Sequence, residues 1–251
     1  MKSRTERLKA ALNERCAVKI IAGIANFDLA NVLQVVRAAE AAGAHAVDVA
    51  ARADIVKAAR EATNAAIFAS SVEPKALAEA VAAGADVAEL GNFDALYDQG
   101  LFLSAEDVLK LAQETVALVQ GKALVSITIP GHLNPDSQAQ LAANLEAIGV
   151  DIIQTEGSAR VLANTPTVKS LTQAEKEELT LRNTRVLAAA TCLPIMTASG
   201  MNADNAALAF ESGASAIGVG AYVNQANTEV EMTQRILSVM ANRVSVISQA
   251  S

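Results

Sequence analysis

Aromatic residues are scarce in this chain: five Phe, two Tyr and no Trp make up 3% of 251 residues. A core assembled around large rings is therefore excluded. Hydrophobic residues still reach 52%, so the interior must be built from Ala, Val, Leu and Ile. That composition suits buried parallel strands covered by helices with small side chains on the inner face. The two cysteines, Cys16 and Cys192, are too far apart to form a metal or redox motif. They are expected to be buried, reduced thiols of a cytosolic-type compartment. Basic residues are outnumbered, 20 Lys and Arg against 27 Asp and Glu, for a net charge of −7. With no basic run either, the electrostatic footprint of a nucleic-acid binder is missing. No apolar run reaches the ~18 residues of a membrane span. Met1 to Arg15 mixes Lys2, Arg4, Arg7 and Lys9 with Glu6 and Glu14 and lacks the apolar stretch of a signal peptide. An amphipathic helix plugging the bottom of the fold is the simpler expectation for residues 1–15. No low-complexity linker breaks the chain, so 1–251 reads as one domain, close to the roughly 250 residues typical of a single TIM barrel.

What the chain does have is a repeat. Ala41-Ala42-Gly43-Ala44 precedes HAVDVA, Ala82-Ala83-Gly84-Ala85 precedes DVAELGN, Ala147-Ile148-Gly149-Val150 precedes DIIQTEG, and Glu211-Ser212-Gly213-Ala214 precedes SAIGVGA. Each Gly ends a helical pattern and opens a strand, as a helix C-cap does. Four further strand candidates lie between them: Val18–Ile24, Ala66–Ser70, Ala123–Ile129 and Pro194–Ala198. Helical stretches alternate with these eight strands. Leu29, Val32, Leu33 and Val36 recur at helical spacing, Ser104 and Thr172 open helices as N-caps, and Asn134-Pro135 puts Pro at a first helical position. The fold class predicted is α/β, a single (β/α)₈ TIM barrel with an extra N-terminal helix; an open doubly wound sheet is the runner-up.

Counting outward from each repeat Gly separates two strand faces. Val47, Val49, Ala88, Leu90, Ile153, Thr155, Ile217 and Val219 form a mostly apolar face that should meet the helices. Asp48, Glu89, Gln154 and Gly218, followed by Ala50, Gly91, Glu156 and Gly220, form a small or polar face that should line the lumen. Carboxylates on strands buried on both sides need such a lumen.

Two places carry chemistry. The first is Pro194 to Asn224, in which Ser199-Gly200 and Gly220 end adjacent strands and each feeds a helix. In a TIM barrel the loops after strands 7 and 8 build a phosphate site from backbone N–H groups. Ser199, Gly200, Met201, Gly220 and Ala221 are the candidate phosphate-binding residues, with N–H groups on Met201-Asn202 and Ala221-Tyr222. The same glycines serve equally for close strand–helix packing. The second place is the lumen. Lys19 lies in the apolar strand AVKIIAGI and must be paired or functional: an amine for a Schiff base or enolate stabilisation, or one half of an ion pair with Asp48 or Glu89. Asp48, Glu89 and Glu156 could serve as acid and base, and Ser126, Thr128, Thr197 and Ser199 could join them. They could also hold a divalent cation through oxygen, but neither His45, at the N-terminal end of a strand, nor His132, in PGHLNP, is placed to help, so no metal is assigned. Two long loops lie over the mouth. Asn92 to Leu103 holds Phe93, Tyr97 and Phe102 and reads as a lid or a satellite core; Gly157 to Leu171 carries Arg160, the nearest obvious cation to a bound anion, and Lys169.

IIAGIANFDLANV, AELGNFDALYDQG, ITIPGHL, IIQTEG and IMTASGM together resemble one family over nearly the whole chain beyond the first 15 residues or so. It is the hypothetical chloroplast reading frame 23 family of algal plastids and cyanobacteria. The resemblance implies a TIM barrel in the cyanobacterial cytoplasm or plastid stroma, supplies no established reaction, and carries a suggested role in gene regulation. The leading expectation is a protein acting on a small phosphorylated metabolite, as a lyase or isomerase next to a carbonyl, with Lys19, Asp48, Glu89 and Glu156 as working groups. One alternative is an oxidoreductase barrel whose glycine pair grips the phosphate of FMN. Another is a ligand sensor without catalysis. Self-association into a homo-oligomer stays open.

Overall fold

The structure, a computed structural model, describes residues 2–97, 99–157 and 171–243, with the backbone of 160–161 and 168–169. Eight parallel strands close on themselves: β1 (Ala17–Gly23), β2 (Ala46–Ala50), β3 (Ala66–Ser71), β4 (Val87–Leu90), β5 (Leu124–Ile129), β6 (Ile152–Thr155), β7 (Ile195–Ala198) and β8 (Ala216–Val219). Each pairs with its sequence neighbour and β8 pairs with β1, which rules out the open sheet. Nine helices of more than one turn accompany them among the described residues: α1 (Arg4–Asn13), α2 (Leu29–Ala41), α3 (Ala53–Ala62), α4 (Pro74–Ala82), α5 (Ala105–Val119), α6 (Pro135–Ala147), α7 (Gln173–Ala190), α8 (Ala206–Glu211) and α9 (Glu229–Asn242). A one-turn helix, Ala221–Asn224, follows β8 directly, and Thr228 then caps α9 by accepting from the Glu231 N–H. Among the described residues no helix is long and apolar enough to cross a membrane.

The caps explain where the helices start. Ser3, Ser104 and Thr172 each accept from the backbone three residues on, while Glu6, Asp107 and Glu175 reach back, satisfying two end donors reciprocally. Outward strand residues such as Val47, Val49, Ile67 and Ile217 bury against α2, α3 and α9, and Ala88, Leu90 and Ile153 against α4 to α6. Each full burial of a Val, Leu or Ile is worth about 1.5–3 kcal/mol.

Inward residues stack in layers drawn alternately from odd and even strands, as the pairing register dictates. From the bottom, Ala17, Ala66 and Leu124 come first, then Ala46, Val87, Ile152 and Ala216. Leu8, Ala11 and Leu12 of α1 pack into this apolar end. Above lie Lys19, Phe68, Ser126 and Met196, then Asp48, Glu89, Gln154 and Gly218, and then Ile21, Ser70, Thr128 and Ala198. The polar interior thus occupies the middle of the barrel, over an apolar plug.

Candidate functional site

Two sites lie one above the other. The lower is sealed. Lys19 Nζ donates to Glu89 Oε1 at 2.8 Å, to Glu89 Oε2 at 2.6 Å and to Gln154 Oε1 at 2.7 Å, and sits 4.5 Å from the Phe68 ring centroid. An ammonium has three hydrogens, and all three are used. Glu89 also accepts from Ser126 Oγ at 3.1 Å and from Gln154 Nε2 at 3.0 Å. Asp48 accepts from the Ser70 hydroxyl through Oδ1, while its Oδ2 has no hydrogen-bond partner among the described residues. Burial pushes the Asp48 carboxyl up to about 7; Lys19 opposes that rise and Glu89 adds to it. Lys19, Asp48, Glu89 and Gln154 all have no exposed surface.

The upper site is a pocket of about 590 Å³ at the C-terminal rim, floored by Ile21, Ala198 and Gly218. Ser199, Gly200, Met201, Gly220 and Ala221 all line it. Ser199 and Gly200 turn the chain through left-handed backbone, φ 83° and 75°; the second is where a glycine is favoured. Gly218 keeps the floor thin: a Cβ there would lie 3.1 Å from Ala198 Cβ and 3.6 Å from Gln154 Oε1. One expected donor is not available, because the Asn202 N–H is held by Asn205 Oδ1 at 2.9 Å. Asn205 is the N-cap position of α8, and its side chain closes a local turn.

Glu156 stands apart from the other carboxylates. It follows the last residue of β6 and lines the rim pocket, where its Oε2 accepts from the Tyr97 hydroxyl and from the Gly131 N–H at 3.0 Å. Tyr97 stacks on Phe102, 4.9 Å between centroids, and both rings meet His132 edge-on. Phe93 and Tyr97 are buried in the outer core with Leu90 and Ile127, so these rings extend that core rather than forming a separate satellite. Gly131 lies flat on the neighbouring turn: a Cβ would fall 2.2 Å from the Glu156 carbonyl oxygen. Gly131→Ala should therefore displace the Glu156 turn and cost about 1–3 kcal/mol, read as a lowered midpoint in urea unfolding; an unchanged midpoint would contradict this packing.

Thr197, expected inside, faces out: its hydroxyl is 2.7 Å from that of Thr184 on α7. Met196 and Ala198 point in instead, so on β7 the apolar residues take the lumen. Ser126 and Thr128 are inward as expected, bonded to Glu89 and Gln154. Cys192 is exposed and Cys16 half-buried, rather than both buried. His45 lies at the bottom, its Nδ1 accepting from the Val18 N–H at 3.1 Å. Arg160 and Lys169 pair as backbone in a two-residue antiparallel hairpin, and their side chains lie outside the described residues. Among those residues no cluster of His, Cys, Asp or Glu is arranged to hold a metal.

The pocket also holds Tyr222, whose N–H was expected there, and residues that pattern reading missed: Lys176 and Gln173 from the first turns of α7, Asn92 after β4, and Gln225 after β8. Gln173 donates to the Gly200 carbonyl at 2.7 Å. The capping box at Thr172 locates the start of α7, and the three-residue spacing puts Gln173 and Lys176 on one face; that is the only sequence signal for either.

An eight-stranded parallel barrel with a rim pocket at its C-terminal end defines the protein as a (β/α)₈ barrel. Solved structures agree on the fold. A 3-hexulose-6-phosphate synthase from Salmonella typhimurium superposes with a TM-score of 0.64 at 11% identity, covering 90% of this chain and 99% of its own. A thiamine phosphate pyrophosphorylase from Pyrococcus furiosus gives 0.62 at 17% identity, with 94% and 99% covered. The chain belongs to the family described as "Protein of unknown function (DUF561)", whose model matches residues 1–249. Its relatives include proteins named "Uncharacterized protein ycf23": that of Cyanophora paradoxa is 34% identical, covering 93% of this chain and 95% of the relative. That of Antithamnion sp. is 32% identical, covering 94% and 87%.

Proposed function

We propose that the rim pocket binds a small phosphorylated metabolite and that the protein acts on it as a lyase or isomerase at a carbon next to a carbonyl. The observation that carries this is the convergence of both glycine turns, Ser199-Gly200-Met201 and Gly220-Ala221, with Lys176 on one pocket. Backbone N–H groups and one ammonium suit a phosphate. The superposed barrels named above carry phosphorylated compounds in their own titles, which supports the same reading here. Glu156 is the carboxyl that meets the ligand. Lys19, Asp48 and Glu89 act from one layer beneath the floor, shaping the field at the reacting carbon rather than touching it. A second reading, a ligand sensor without turnover, is favoured by one feature: Lys19 spends every hydrogen on Glu89 and Gln154 and keeps none for a substrate.

The test is thermal stabilisation and direct binding with a panel of sugar phosphates, followed by turnover of whichever binds. A Cβ at Gly220 meets Ile21 Cβ at an ordinary 3.5 Å, so Gly220→Val should fold while its methyls occupy ligand space. Binding should weaken at least about tenfold, roughly 1.4 kcal/mol. Lys176→Met, which removes a charge-assisted bond of about 1.5–3 kcal/mol, should weaken it by roughly ten- to a hundredfold. Wild-type affinity in both variants would end the phosphate assignment. Binding without turnover would leave the sensor, and a yellow purified protein would mark FMN as the occupant.

A further inference from the structure

Two carbonyls of the Ser199-Gly200-Met201 turn are tied down from behind. Thr180 Oγ1 donates to the Ser199 carbonyl at 3.0 Å. Gln173 Nε2 and Asn205 Nδ2 both donate to the Gly200 carbonyl, at 2.7 Å and 3.0 Å. Asn205 is fully used, since Nδ2 also donates to Glu177 Oε2 at 2.9 Å and Oδ1 accepts from the Asn202 N–H. Gln173, Glu177 and Thr180 share one face of α7 at helical spacing. That helix packs on the outside of β7, where Thr184 meets Thr197. Both carbonyls therefore point outward, away from the barrel axis. Among the described residues no peptide bond is cis. In a trans peptide the N–H runs opposite to the C=O of the same plane. Fixing the Ser199 carbonyl thus aims the Gly200 N–H inward, and fixing the Gly200 carbonyl does the same for Met201. Both residues line the rim pocket, and no described residue accepts from either N–H.

We propose that Thr180, Gln173 and Asn205 are positioning residues for an anion in the rim pocket, holding two peptide planes so that the Gly200 and Met201 N–H groups face it. The assignment rests on the phosphate reading above. A clamp is needed because the backbone alone leaves both orientations open. Turning a peptide plane over changes only the ψ before it and the φ after it. Gly200 borders both planes, and glycine tolerates either sign of φ. A plane turned over would put a carbonyl oxygen, the negative end of its dipole, into the pocket and repel an anion. The turn also lies directly against the same face of α7: a Cβ at Gly200 would fall 3.3 Å from Lys176 Cβ and 3.4 Å from Gln173 Nε2. One helix thus supplies the cation and orients the amides.

The probe is inorganic phosphate, titrated into the full ¹⁵N-labelled chain with the Gly200 and Met201 amides assigned. In the wild type both amide protons should move downfield as phosphate binds. Among the described residues Thr180 is the one donor to the Ser199 carbonyl. Thr180→Val keeps the shape and should weaken phosphate about tenfold, as expected when about a tenth of the chains keep the competent turn. The Gly200 shift should shrink while Met201 still moves. Thr180→Ser keeps the hydroxyl and should restore both affinity and shift. Thr180 is fully buried, so Gln173→Met, at an exposed position, covers the case in which Thr180→Val does not fold. It leaves Asn205 on the Gly200 carbonyl, so phosphate should weaken only about threefold, and here the Met201 shift should shrink instead. A general loosening of the turn would damp both shifts alike in every variant. That result, or wild-type affinity and shifts in the folded variants, overturns the inference and leaves the phosphate reading standing. Phosphate that moves neither amide in the wild type overturns both.

Discussion

Lys19→Met should destabilise the barrel by about 3–5 kcal/mol, because it leaves Glu89 as an uncompensated charge in the interior. Both partners of this pair have no exposed side-chain surface, so solvent does not soften the loss. Two other donors, Ser126 and Gln154, keep Glu89 hydrogen-bonded in the variant, yet neither carries charge. The second substitution separates charge from packing. Lys19→Met with Glu89→Gln removes both charges at nearly constant volume and should recover most of the loss, since a buried pair replaced as a pair is often neutral in stability. The observable is the free energy of urea unfolding at fixed pH for the wild type, the two single variants and the double variant. If the double variant is as unstable as Lys19→Met alone, the pair is held by packing and the electrostatic account of this layer is wrong.

That layer was legible before any coordinates. Counting alternate residues from each repeat glycine brings Asp48, Glu89, Gln154 and Gly218 to one face, and the register stacks those four at one level. Strand period and the cost of burying charge were sufficient, because a carboxylate on a doubly covered strand has nowhere else to go. The height of each residue was not legible. Glu156 continues the alternation two residues beyond Gln154, but β6 ends at Thr155. Its carboxyl therefore leaves the lumen direction and meets Tyr97 and Gly131. Thr197 failed for a different reason. The rule that polar residues face the lumen inverts on β7, where Met196 and Ala198 fill the barrel and α7 provides Thr184 as a hydroxyl partner. No local signal marks such a partner thirteen residues upstream on a helix. Lys176 was missed likewise, because a rim cation can come from the next helix as well as from the glycine loops themselves.

The pH dependence of stability should carry two opposed contributions from buried or partly buried groups. Asp48 is fully buried, has one oxygen without a partner among the described residues, and titrates near 7 rather than at its ordinary 3.8. A carboxyl whose folded pKa is raised binds its proton more tightly in the native state. Its contribution is complete below about pH 4 and is lost as pH rises toward 7, on the order of 4 kcal/mol across that window. His45, outside the lumen at the bottom of the barrel, does the reverse. Burial lowers its ring to about 4 from 6.5, with Arg243 adding to the effect. A histidine that resists protonation when folded contributes stability above 6.5 that disappears as pH falls toward 4. Between about pH 4 and 6.5 one proton is bound preferentially by the native state and one by the unfolded chain, so the two slopes offset each other. The wild type should be nearly flat there, apart from surface carboxylates, and should weaken between pH 6.5 and 8. Asp48→Asn keeps an acceptor for Ser70 and removes the titration. Its stability should rise from pH 4 to 6.5 and then hold level, so that it gains on the wild type steadily and overtakes it at alkaline pH. Urea unfolding at half-unit intervals measures both curves. Parallel curves for wild type and Asp48→Asn would mean that Asp48 is ionised throughout, with the Lys19 charge strong enough to overcome its burial.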